Sequence, residues 1–199
     1  MKYRFSLLVL VLCIFLSSCN DDVTRQGDQF YNDGQYKQAA EAYSEYLKTN
    51  PKDIKSLYNR GRAYEEMNQL AKAETDFSAV LDLAPNNLSA NLSMGKLLYN
   101  QKDYNKAIIF LNKVIELEGT LSDAYMLRGR SYHQQGFFKE AMENYNQAIN
   151  FDKENEEAYL YRGALKIALN QMKSACNDFT RADAFGAVEA KDALAKNCR

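Results

Sequence analysis

Residues 57–85 read LYNRGRAYEEMNQLAKAETDFSAVLDLAP, and this stretch decides the fold because its landmarks return every 34 residues. Gly61 stands in one column with Gly27, Gly95, Gly129 and Gly163. Twelve residues after each glycine comes Ala39, Ala73, Ala107, Ala141 or Ala175. Four further on stand Tyr43, Phe77, Leu111, Tyr145 and Phe179, and three beyond those Tyr46, Val80, Val114, Ala148 and Ala182. Pro51 and Pro85 fall 24 residues after their glycines. So many columns in one register mean five copies of a single supersecondary unit.

Each column has a physical reading. The large apolar residues lie on one helical stripe. Glycine inside a helix is unfavourable by about 1 kcal/mol against alanine. Its return in every first helix predicts that neighbouring backbones approach too closely for a side chain. Asn32-Asp33-Gly34 and Gln134-Gln135-Gly136 mark the tight turn, and the alanine column lets the second helix pack close to the first. Pro51 and Pro85 end their second helices, while Gly119 and Lys153 replace proline in the next two repeats.

The expected fold is therefore all-α: an α-solenoid of five 34-residue helix-turn-helix repeats over 19–53, 54–87, 88–121, 122–155 and 156–187, stabilised by stacking of neighbours. A capping helix closes it within 188–199, read as periodic from Ala187 to Asn197 after a Gly186 C-cap, with Val188 and Leu194 facing inward.

The pattern resembles the tetratricopeptide repeat from residue 20 to about 187. That family shows a bulky residue, Leu-Gly, Tyr, Ala, an aromatic, Ala and Pro. The second repeat supplies Leu57, Arg60-Gly61, Tyr64, Ala73, Phe77, Val80 and Pro85. Arg60, Met94, Arg128 and Arg162 replace the family leucine without disturbing the pattern. The resemblance implies a non-catalytic interaction adaptor whose first helices line a concave partner-binding groove. Here that groove comprises Tyr58, Arg62, Leu92, Lys96, Tyr99, Met126, Arg130, His133 and Leu160. Cations beside aromatic and apolar groups suit a peptide carrying acidic and hydrophobic side chains. The other reading is ordinary solvated charge, partly paired with Glu65 or Glu66. Family members that grip a C-terminal carboxylate use a Lys/Asn/Asn/Lys/Arg set. The matching Thr24, Asp28, Asn59, Ser89 and Ser93 keep only Asn59 of it. The alternative that the resemblance implies is a structural subunit of an envelope assembly machine, in outer-membrane or pilus biogenesis.

Lys2 and Arg4, the apolar run from Leu7 to Leu16, and Ser17-Ser18 read as a signal peptide over 1–18. Leu16-Ser17-Ser18-Cys19 resembles the bacterial lipobox, which implies a lipidated Cys19 carrying diacylglycerol and a further acyl chain such as palmitate. Asn20 after Cys19 favours the outer membrane. Asp21 and Asp22 resemble the acidic stretch of some surface-exposed Bacteroidota lipoproteins. The first repeat starts at Asn20, so the array is expected close to the bilayer, with envelope proteins as partners.

Cys176 and Cys198 form an even pair, ten residues before and twelve after Gly186. Two antiparallel helices reversing there bring them together, so a disulfide is expected, with a loop-entropy contribution of roughly 3 kcal/mol. A zinc site is disfavoured, because His133 is remote and no paired cysteine spacing exists. The formal net charge of −1 offers no basic field for nucleic acid. His133 is the single histidine and has no nucleophile placed beside it by the repeat. The glycines recur singly rather than as a phosphate-cradling loop. No cofactor is implied.

Overall fold

The structure, a computed structural model, describes residues 23–198. The signal peptide and Cys19 lie outside the described residues. These residues form helices joined by short turns, with no strand among them. Helix α1 spans residues 23–32 and is followed by α2 (Tyr36–Thr49), α3 (Ile54–Glu66), α4 (Leu70–Leu83) and α5 (Leu88–Asn100). Then come α6 (Tyr104–Leu117), α7 (Ser122–Gln134), α8 (Phe138–Phe151), α9 (Glu156–Ala168), α10 (Met172–Phe185) and α11 (Ala190–Asn197). The chain divides into two compact units, one up to Ala90 and one from Asn91.

In both units the glycine column is explained by a side chain. A Cβ on Gly61 would sit 2.7 Å from the Phe77 ring, and one on Gly129 2.9 Å from the Tyr145 ring. The obstacle is thus the large residue sixteen positions on, lying across the first helix, rather than a neighbouring backbone as the spacing suggests. The alanines of the next column are fully buried. The hairpin turns place Gly34, Asn68, Lys102, Gly136 and Asn170, again 34 apart, in the left-handed region at φ 73, 56, 65, 80 and 59°. A bond such as Gln35 N–H to the Phe30 carbonyl (2.8 Å) closes each helix end in a Schellman-type motif.

The arginines that replace the family leucine act as clips between repeats. Arg60 donates bidentately to Asp76 (2.8 and 2.7 Å) and reaches Ser44 (3.2 Å). In the other unit Arg162 does the same with Asp178 (2.9 and 2.7 Å) and Asn146 (2.8 Å). Arg128 holds Asn144 (2.8 Å) and Asn112 (2.6 Å). Each guanidinium ties the second helix of its own repeat to that of the repeat before. The Asp76 bond pushes Arg60 up from its ordinary pKa, whereas burial without a carboxylate pushes Arg128 down.

The C-terminal cap departs from the expected pattern. Gly186 is left-handed at φ 107° and caps α10, but residues 187–189 turn before α11 begins at Ala190. That turn resets the helical phase: Ala187 and Ala190 face inward, and Val188 is 82% exposed. Leu194 is half-buried. Cys176 and Cys198 are disulfide-bonded, with their Cα atoms 5.7 Å apart.

Candidate functional site

Residues on either side of the helical glycine point in different directions, because two helical steps turn the side chain by about 200°. Arg60 faces the second helices as a clip, and Arg62 faces away from them. The residue after the glycine, in each unit, meets the following repeat through a fixed register.

In the unit up to Ala90, Asp28 follows Gly27. Its carboxylate accepts from the Tyr43 hydroxyl (2.6 Å), Lys55 Nζ (2.8 Å) and Asn59 Nδ2 (3.0 Å). Burial pushes the Asp28 carboxyl up, but the bonds from Lys55, Tyr43 and Asn59 outweigh it and hold the group below its ordinary 3.8. Burial and the Asp28 bond push the Tyr43 phenol well up. Arg62 lies over the Tyr31 ring, 4.5 Å from its centroid. Asp28, Tyr31, Asn32, Tyr43, Asn59 and Arg62 line a cleft of about 240 Å³. Tyr58, expected in the groove, is half-buried, and its ring makes a tilted contact with Phe77 at 5.7 Å. Its first duty is packing.

In the unit from Asn91, Arg130 follows Gly129. Its guanidinium lies between two rings, 4.6 Å from the Tyr99 centroid and 4.0 Å from that of Tyr161. Such stacking is worth about 0.5–1 kcal/mol per exposed ring and more when desolvated. Arg130 Nε is sealed from solvent without a hydrogen-bond partner. Among the described residues the guanidinium has no acceptor at all. Glu157, one helical turn before Tyr161, feels the Arg130 charge without forming an ion pair. Loss of water around its carboxyl pushes Glu157 above its ordinary 4.5, and Arg130 offsets this only in part. Behind Arg130, the Tyr145 hydroxyl lies 3.3 Å from His133 Nδ1, and burial lowers the His133 pKa. His133 is therefore neutral at pH 7 and half-buried against Phe138 and Tyr145.

The other expected groove residues divide. Lys96 is exposed and Leu92 half-buried. Met126 and Leu160 are 4% and 9% exposed. The latter two are packed in the interior and present little surface to a partner. Lys55, Glu157 and Tyr161 complete the two sites and are not among the residues that the sequence pattern singles out. Their signal is the register: Asn59 and Tyr161 both stand two residues before their glycines, and Lys55 and Glu157 both six before. No group of His, Cys, Asp and Glu able to hold a metal occurs among the described residues. No helix there is long and apolar enough to cross a membrane.

Comparison with known proteins agrees with this architecture. Three family profiles match: "Tetratricopeptide repeat" over residues 24–87, "TPR repeat" over 129–169, and "Tetratricopeptide repeat protein 21 second ARM domain" over 59–136. No curated protein sequence is significantly similar to the chain. Among solved structures, the fold is similar to MamA (residue 41 to end) from Desulfovibrio magneticus RS-1. It shares 23% identity over 83% of this chain and 94% of that one, with a TM-score of 0.78. PilW, a widely conserved type IV pilus biogenesis factor, aligns at 17% identity over 90% and 93%, with a TM-score of 0.75. TTC0263, a thermophilic TPR protein of Thermus thermophilus, aligns at 17% identity over 89% and 98%, with a TM-score of 0.70.

Proposed function

The chain belongs to the tetratricopeptide-repeat family, and from that premise we propose that it is a non-catalytic, membrane-anchored adaptor that binds a protein or peptide on its first-helix faces. The observation that carries this reading is the pair of arginines displayed after the helical glycines. Arg62 and Arg130 lie over tyrosine rings and engage no carboxylate among the described residues. A cation positioned by aromatic rings, with its donors unspent, is a ready recognition element for an acidic, partly apolar segment. The single histidine is neutral and half-buried against aromatic rings, which suits packing rather than acid–base chemistry.

The anchor is lipid on Cys19, in the outer membrane, and the partners are envelope proteins. The likeness in fold to a pilus biogenesis factor favours a second reading, a structural subunit of an envelope assembly machine. Crosslinking in the native envelope followed by mass spectrometry tests both. An adaptor yields a separable partner whose capture falls when Arg62 and Arg130 are replaced together by alanine. A subunit co-purifies stoichiometrically with larger components whatever those residues are. Capture unchanged in the double variant overturns the arginine-based reading. Cys19→Ala is expected to release the chain from the membrane fraction.

A further inference from the structure

We propose that Arg130 is an open carboxylate-accepting site framed by Tyr99 and Tyr161, in which Glu157 competes with the carboxylate of a bound peptide. The inference rests on the reading that the first helices bind a peptide, and it names the group recognised and the residue that opposes it.

Arg60, Arg128 and Arg162 each spend their donors on two side chains of neighbouring helices. Arg130 donates to none among the described residues, although its Nε is buried. A buried donor without an acceptor is costly to folding, so such a group calls for an explanation other than stability.

Rings cover the guanidinium from Tyr99 and Tyr161, and Nε is closed off. The two Nη atoms are not sealed, so the outer end of the fork reaches solvent. A planar carboxylate entering in the plane of the guanidinium meets two parallel donors. The Tyr99 and Tyr161 hydroxyls bond no described residue and add donors at the rim.

Asp28 and Arg130 each follow a helical glycine, and Lys55 and Glu157 each stand 27 residues further on. Lys55 closes on Asp28 at 2.8 Å, but Glu157 makes no ion pair with Arg130. The position that closes one site leaves the other open while keeping a carboxylate beside it. That carboxylate repels an incoming one and can take its place.

The test uses the full chain, ¹⁵N-labelled in detergent micelles, with the Arg130 Nε–Hε signal assigned through Arg130→Lys. Four probes are titrated to about 50 mM, a range suited to one weakly held ion pair. They are N-acetylglutamate amide, N-acetylglutamine with a free carboxylate, N-acetylglutamine amide, and inorganic phosphate. A saturable shift with either carboxylate probe and none with the amide supports the site. Which of the two carboxylate probes acts tells a side-chain group from a chain terminus. Glu157→Gln is expected to tighten binding about two- to fivefold, the range of one exposed charge–charge interaction. A flat titration, an equal response to the uncharged amide, saturation by phosphate alone, or weaker binding in Glu157→Gln overturns the proposal. Should Arg130→Lys misfold, through-bond assignment of the ¹³C,¹⁵N-labelled wild type identifies the same signal, so the wild-type titration still decides. A flat Arg130 titration beside partner capture in the envelope overturns this inference and leaves the adaptor reading standing.

Discussion

At the junction of the first and second repeats, Tyr43, Lys55 and Asn59 close around the Asp28 carboxylate. At the junction of the fourth and fifth, the same three register positions hold Tyr145, Glu157 and Tyr161 around Arg130. The charges are inverted, and so is the outcome. Asp28 is satisfied on several sides, whereas Arg130 has rings on its faces and no acceptor among the described residues. The difference teaches that one repeat geometry can yield a structural lock or a receptive site, depending on whether the residue six positions before the next glycine reaches its opposite.

Both junctions rest on the same contact, a large side chain lying over the helical glycine. Breaking that contact is expected to give the largest effect. In Gly129→Val the new Cβ meets the Tyr145 ring at 2.9 Å, and α7 and α8 must part. We expect a loss of about 3 kcal/mol, read as a fall in the urea midpoint. A loss below about 1 kcal/mol would mean that the ring swings aside freely.

Removing the two central charges should separate the junctions. Asp28→Ala orphans the Tyr43 hydroxyl, whose residue is 1% exposed, and releases Lys55 and Asn59. Allowing for the partial exposure of Asp28, the expected cost is about 1.5 kcal/mol. Arg130→Met should change stability by less than about 0.5 kcal/mol, because an apolar stem between two rings replaces a donor with no acceptor. Equal losses in the two variants would show that Arg130 is a structural member like Asp28.

A finer probe leaves both rings in place. Tyr43→Phe removes a 2.6 Å bond to a carboxylate and should cost about 1 kcal/mol. Tyr145→Phe removes only a 3.3 Å contact with His133 and should stay within about 0.5 kcal/mol of wild type. Matched urea titrations of the two variants give the comparison directly.

These contrasts also show what a single sequence carries. The columns of Gly, Ala and large apolar residues are legible because each recurs within its own repeat, and they define the helical hairpins. The left-handed turn is legible where Gly34 and Gly136 occupy it, but less so where Asn68, Lys102 and Asn170 do. Contacts between repeats are not legible. Nothing in a column says that the residue after one glycine meets the residue two before the next, so Tyr161 and Glu157 escape a reading by columns. Position alone assigns Met126 and Leu160 to the surface, yet in the fourth and fifth repeats that position is buried. Running one helical period through Gly186 turns Val188 inward, but the left-handed cap and the following turn reset the phase.

The smallest expected effect is a difference in the sign of pH dependence. Asp28 has its folded pKa held below the ordinary 3.8, so its stabilisation is present above that value and is lost as pH falls through the lower folded value. Glu157 has its folded pKa raised above 4.5. Folding therefore favours its protonated form, and its penalty, present at neutral pH, is relieved as pH falls through the raised value towards 4.5. Urea midpoints measured from about pH 7 to about pH 3 should show the two substitutions acting in opposite senses. Asp28→Asn lowers the midpoint at neutral pH and converges on wild type at the acid end. Glu157→Gln raises it slightly at neutral pH, and the gain disappears as wild-type Glu157 becomes protonated. If both variants shift the curve in the same direction at neutral pH, Glu157 already pairs with Arg130 in solution, and the two junctions are locks of opposite polarity.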